Sequence, residues 1–212
     1  MRDLPMFTTE FGVASLILKE IPYREEAYIL VQSTQEPEKL LRECIDFCRA
    51  CGAEKIYARG HEILERYPLH SIVYEMRGTA RVDEAKTESL WPVTEETVSR
   101  WRELMNRRMR GVDNAATLEK KGEREILDKG GAYFVHRNGQ LLGGGWLAGQ
   151  ELLLVASFEP GAGERVCNTL FSLIPDEEVR LEVVSTNTRA IRLYERLGFL
   201  KTGECRKWYR VY

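Results

Sequence analysis

The residues with types and spacings that could do chemistry gather in the last third of the chain. The richest stretch is residues 181–199, LEVVSTNTRAIRLYERLGF. Ser185, Thr186 and Asn187 are residues whose side-chain oxygens accept from the first free amides of a helix. Tyr194 and Glu195 follow on that helix, and taken alone Tyr194 is a core aromatic at helical spacing. Arg189, Arg192 and Arg196 line one face of the same helix, where a solvated face is the usual explanation. Cys44, Cys48 and Cys51 have a spacing seen in iron–sulfur ligation. Their flanks are helical, however, so i, i+4 and i+7 read as one stripe of small apolar groups. His61, His70 and His136 are scattered without ligand spacing, so no metal site is expected.

These side chains need elements to position them. Residues 181–184 alternate as a strand, and Ala190, Tyr194 and Leu197 recur at helical spacing. Gly198 suits a left-handed cap before the next extended segment. Upstream, residues 132–136 and 141–147 are strands about Asn138-Gly139, a dipeptide that suits a type I′ hairpin turn. Residues 151–158, ELLLVASF, make a third strand. Residues 159–163, EPGAG, break the chain before a helix over residues 164–174. Helices over residues 94–109 and 117–129 precede this meander, and residues 206–211 close as a strand. Gly143-Gly144-Gly145 within a strand suggests a bulge or a close approach.

Nearer the start, strands are expected over residues 12–21, 27–31, 55–58 and 71–76. Helices fall over residues 35–51 and 61–67. Residues 77–90 are polar and lack periodicity, so the boundary is placed there, giving units 1–80 and 81–212. A chain of 212 residues that is 43% hydrophobic and 30% charged can bury its own core. Its net charge of −2 argues against a nucleic-acid partner. No apolar run approaches a membrane span, and residues 1–12 lack the apolar core of a signal peptide. Five cysteines, an odd number without a paired framework, are expected as reduced thiols in the cytoplasm.

The element order of residues 86–212 resembles that of the GNAT acetyltransferases. So does N-x-x-A-x-x-x-Y-E-x-x-G-F, carried here by Asn187, Ala190, Tyr194, Glu195, Gly198 and Phe199. The resemblance implies an α/β fold, a mixed sheet that splays, with acetyl-CoA in the gap and an amine as acceptor. The first unit resembles a degenerate, smaller GNAT-like half-domain without that motif.

Site residues follow from the same resemblance. Pantetheine would pair with the backbone at Ala156, Ser157 and Phe158, and Asn187 would hydrogen-bond near it. The pyrophosphate would meet the loop and helix start at Gly161, Gly163, Glu164, Arg165 and Val166, because a helix amino end offers free N–H groups and partial positive charge. Aligned from Pro160, Gly163 stands where the family has Arg or Gln, and Glu164 and Val166 stand at its glycines. Gly161 and Gly163 then make a shorter loop, with Arg165 supplying charge. Tyr194 would protonate the departing CoA thiolate as general acid. Glu151 is the candidate general base for the amine, ahead of Glu159 and Glu182, although a strand-end acid is often only exposed. The reading is an acetyl-CoA-dependent N-acetyltransferase acting on a primary amine. The alternative is a GNAT-fold ligand-binding or regulatory protein without transfer activity.

Overall fold

A computed structural model of the chain describes residues 5–212. They form two compact units: residues up to Ile72 together with Cys205–Tyr212, and Val73–Glu204. Among the described residues no helix is long and apolar enough to cross a membrane.

The first unit opens with a hairpin, β1 (Met6–Thr9) and β2 (Gly12–Ile17). Where the sequence suggests strand and then turn, a single helical turn forms, α1 (Ile21–Arg24), with proline at its start. β3 (Glu26–Thr34), α2 (Pro37–Ala50) and β4 (Lys55–Arg59) form a parallel crossover. Leu40, Leu41, Cys44 and Cys48 of α2 bury against Ala27, Ile29, Ile56 and Ala58. Burial pushes the Cys44 and Cys48 thiols up to about 12, so both pack as small apolar groups, whereas Cys51 is exposed. The expected α-helix at residues 61–67 is a 3₁₀ turn, Glu62–Arg66. His61 Nδ1 accepts from the Ile63 amide at 3.1 Å, and Pro68 stops the turn after one cycle.

β5 (Leu69–Thr79) continues through residues 77–79, which the sequence reading gives to a polar connector. Polarity there marks an exposed strand face. Arg77 bonds Glu75 at 2.8 Å and Glu178 at 3.2 Å, while Met76 is fully buried. β6 (Ser89–Pro92) and α3 (Val98–Met109) follow. The expected helix from residue 117 begins only as a 3₁₀ turn at Lys120, then α4 (Glu123–Lys129). The Asn106 side chain holds the Leu118 amide and carbonyl, both at 2.9 Å, which keeps residue 118 out of a helix.

The meander is β7 (Ala132–Arg137), β8 (Gln140–Ala148) and β9 (Glu151–Ser157). Asn138 (φ 49°) and Gly139 (φ 81°) turn its first hairpin as expected for type I′. Then come α5 (Gly163–Phe171), β10 (Glu178–Val184), α6 (Thr188–Arg196) and β11 (Leu200–Arg210). Strand order in this unit is β5-β10-β9-β8-β7-β6. β9 and β10 are parallel, and the other neighbours pair antiparallel.

Each face of this sheet has its own core. Val166, Leu170 and Phe171 of α5, with Ile191 and Tyr194 of α6, pack on one face; Trp101 and Met105 of α3, with Ile126 of α4, pack on the other. The glycine run in β8 serves both. A Cβ at Gly143 would stand 2.6 Å from Val166 Cγ2, and one at Gly145 would strike Leu170. On the opposite face a Cβ at Gly144 would stand 3.0 Å from Trp101 Nε1. The close approach read from the sequence is therefore made by helices. The bulge sits one residue earlier: Val135 faces Gly143 and His136 faces Leu141, leaving Leu142 without a partner on β7.

Candidate functional site

Two strands that run parallel but hardly touch define the site. β9 and β10 pair only at Arg180↔Glu151 and Leu181↔Leu152. Beyond those positions β9 continues to Ser157 and β10 to Val184 without pairing each other. The gap therefore opens between the carboxyl-terminal halves of two parallel strands, where ligands commonly lodge in α/β sheets.

A bulge lies at the fork. Leu147 faces Leu152 and Trp146 faces Leu154, so Leu153 has no partner on β8, nor one on β10. Packing records the same slip: Leu152 and Val155 face the α5 and α6 core, whereas Leu154 and Ala156 face the α3 core. Leu153 is 39% exposed. A bulge frees main-chain donors and acceptors that a regular ladder would use. The sequence reading missed this feature. Its trace is the run Leu152-Leu153-Leu154, where three apolar residues in a row break two-residue alternation.

Past β9, the Phe158 and Glu159 amides both point to the Leu142 carbonyl, at 2.7 and 3.3 Å. That bond anchors the chain before its turn. Gly161 takes φ +81°, a region that favours glycine. Val166 begins the regular bonding of α5, its amide reaching Ala162 O at 2.9 Å, and its side chain is wholly buried. The amides of Gly161, Gly163, Glu164 and Arg165 bond no other described residue. These four amides, with the helix dipole behind them, could hold an anion.

Charged side chains around that end are already paired. Glu164 bonds Lys86 at 2.7 Å and helps hold that lysine charged; Asp83 lies 3.2 Å from the same ammonium. Arg165 bonds Glu88 at 2.8 Å, and Arg137 approaches Glu88 at 3.9 Å. Arg165, expected to bring free charge, thus has a carboxylate partner. Buried Asn168 and Thr169 clamp this segment to α5. Asn168 accepts from the Asp83 amide at 2.7 Å and donates to Asp83 O at 2.8 Å; Thr169 Oγ1 accepts from the Glu88 amide at 3.0 Å. These contacts span about 80 residues of sequence, beyond the reach of local patterns.

On the other side of the gap, Asn187 caps α6. Its Oδ1 accepts from the Ala190 amide at 3.2 Å, leaving the Nδ2 group for another partner. Gly198 (φ +87°) ends the helix, and the Phe199 amide bonds Tyr194 O at 2.9 Å. Tyr194 is 7% exposed and packs against Phe199, with ring centroids 6.0 Å apart. Its hydroxyl bonds no described residue. Burial, with a smaller contribution from Cys167 beside it, pushes the phenol far above the ordinary tyrosine range. The group is therefore protonated at neutral pH.

Glu151 stands at the paired end of the strands, where Arg180 holds it at 2.9 Å and also reaches Glu75 at 3.3 Å. Glu159 is half-buried beside the α5 turn, and Glu182 is exposed on β10. Ala156 and Ser157 pair with Gly144 and Gly143 on β8, so their β10-side edges line the gap.

No family model and no curated protein matches this chain. Solved structures match its fold. A functionally unknown conserved protein from Staphylococcus epidermidis aligns with TM-score 0.59 at 10% identity, over 99% of this chain and 94% of that one. A GCN5-related N-acetyltransferase from Anabaena variabilis aligns with TM-score 0.62 at 11% identity, over 95% of this chain and 60% of that one. A GNAT-family acetyltransferase from Colwellia psychrerythraea aligns with TM-score 0.51 at 10% identity, over 97% of this chain and 84% of that one. The fold is that of the GNAT acetyltransferases.

Proposed function

We propose that the second unit is an acyl-CoA-dependent N-acyltransferase, with acetyl-CoA as donor and a primary amine as acceptor. The observation that carries this reading is the fork after Leu152 and Leu181, with an unpaired bulge on one arm and a buried phenol on α6. The unpaired edge of residues 153–157 suits an extended pantetheine arm, which carries amides of its own. The free amides from Gly161 to Arg165 suit a pyrophosphate. Main-chain N–H groups freed at Leu153 suit the thioester carbonyl, where negative charge develops.

In the reaction, the amine lone pair attacks the thioester carbonyl carbon and forms the C–N bond. The C–S bond breaks, and its electron pair leaves on sulfur. Tyr194 gives the thiolate its hydroxyl proton and regains one from solvent; the amine sheds one proton. Amide and free thiol result, and the protons balance. Because Arg180 engages Glu151, amine deprotonation falls to water.

A thiol-release assay with acetyl-CoA and an amine panel tests this reading. We expect turnover in the wild type and a fall of about 100-fold or more in Tyr194→Phe, the scale of a lost general acid. Equal turnover in both proteins would remove Tyr194 from the chemistry. The paired state of Glu164 and Arg165 favours a second reading, a binding protein that does not transfer. That reading predicts CoA binding with no thiol release from either protein.

A further inference from the structure

We propose that the first unit binds a small monocarboxylic acid, at the place where the Arg59 guanidinium lies against Trp208 at the carboxyl end of β4. This proposal is independent of the acyl-CoA reading, which concerns the second unit.

The site is built on the sheet face turned away from α2. Ile56 and Ala58 of β4 bury against α2, so strand alternation turns Tyr57 and Arg59 to the reverse face. Leu30 of β3 pairs with Arg59 on one side. On the other side β11 pairs Tyr209 with Ala58, which brings Trp208 opposite Arg59. Leu30 and Trp208 are both buried, so the arginine stands between apolar walls. Its guanidinium lies over the Trp208 ring, 5.4 Å from the centroid.

A charge held there calls for a counter-charge. Among the described residues no carboxylate pairs with Arg59, and nothing accepts from its guanidinium. Its Nε is wholly buried and unbonded. Its terminal nitrogens bond nothing either, yet they are not buried, so they are the part a ligand reaches. Glu26 shares this face, but it stands at the amino end of β3, roughly 13 Å back along the strands. It is also engaged already, by the Tyr28 hydroxyl at 2.8 Å and by Arg24 at 3.1 Å. Burial, and then the like charge of Arg206, pull the Arg59 pKa below the ordinary arginine range. An arginine nevertheless stays charged at neutral pH. The Trp208 ring offsets part of the cost by cation–π attraction, but it supplies no negative charge. The position is also one where ligands lodge in α/β sheets, outside the carboxyl ends of a parallel pair, here β3 and β4.

The features present specify the missing partner. One guanidinium lacks one negative charge, which a monocarboxylate supplies. Its flat carboxylate matches the guanidinium fork through two parallel hydrogen bonds, a match that a tetrahedral phosphate or a lone halide makes less well. The walls of Leu30 and Trp208 favour an acid with an apolar body.

The test is an NMR titration of the full chain at constant ionic strength, read on arginine Nε–H and tryptophan Nε1–H resonances. The probes are benzoate, acetate, inorganic phosphate and chloride. The proteins are the wild type, R59Q, R59K and R66Q, the last removing an exposed arginine that pairs with Glu38. Thermal melts check that each is folded, and R59K carries the comparison if R59Q is not. The buried Arg59 Nε–H should give a resonance that R59Q lacks. Benzoate should shift it saturably in the wild type and in R66Q, with acetate binding more weakly. R59K keeps the charge without the fork, so benzoate affinity should fall about tenfold, and R59Q should abolish it. Benzoate binding of equal strength in the wild type and R59K would overturn the proposal. So would a response that chloride reproduces, which is screening alone, or phosphate binding tighter than either carboxylate. No saturable shift with any probe would also overturn it, leaving Arg59 with Trp208 as its sole contact.

Discussion

At position 194, burial keeps the phenol protonated and at the same time weakens it as an acid. The phenol sits among Phe199, Cys167 and Ile191, where a phenolate would be poorly solvated. It therefore stays protonated well above neutrality, although the same burial makes it a weaker acid. The same shift has a consequence for stability. Folding raises the pKa of Tyr194 above the ordinary value of 10.0, so the unfolded chain releases this proton first. The stabilisation is complete below pH 10 and declines as pH rises past it. Denaturant melts from pH 9 to 12 should show stability falling with pH, and Tyr194→Phe should lessen that slope by about 1.4 kcal/mol per pH unit. An unchanged slope would mean that the phenol ionises freely in the folded protein. Tyr28 in the first unit is shifted the same way, by burial and then by Glu26, and remains as background in both proteins.

Among the elements, β8 decides how closely α5 and α3 can approach the sheet. Gly143 accepts Val166 above it, and Gly144 accepts Trp101 on the reverse face. Gly143→Ala should cost about 1–3 kcal/mol in chemical denaturation, the usual price of overpacking. Gly111→Ala, with open space around the added carbon, should be nearly neutral. Equal effects would show that α5 is not seated on the glycine. The strand–turn–helix of residues 181–199 was legible because its cap, its helical period and its terminal glycine are local signals. So was the Asn138-Gly139 hairpin. The length of β5 was not, because Arg77, Gly78 and Thr79 read as connector residues until Glu178 is seen opposite. The fork was hidden for a related reason. β9 reads as an ordinary strand, and only its register against β8 and β10 reveals where pairing stops. Glu151 likewise looked available until Arg180 was brought beside it.

Across the whole molecule, two parallel strand pairs with similar order behave differently. In the first unit β3 and β4 stay paired over five positions, from Glu26↔Lys55 to Leu30↔Arg59. Every residue of β4 pairs with β3, and a 3₁₀ turn, Glu62–Arg66, follows it. In the second unit β9 and β10 part after two positions. Hydrogen–deuterium exchange with acetyl-CoA should therefore show new protection at residues 153–166 and 187–196, and none along β3 and β4. Protection along β3 and β4 instead would move the ligand away from the fork.

The central claim is that the fork between β9 and β10 receives an acyl-CoA. Calorimetric titration of acetyl-CoA into the full chain tests it most directly. Saturable binding at a single site per chain, competed by CoA, is expected. No detectable heat or competition at millimolar acetyl-CoA would contradict it.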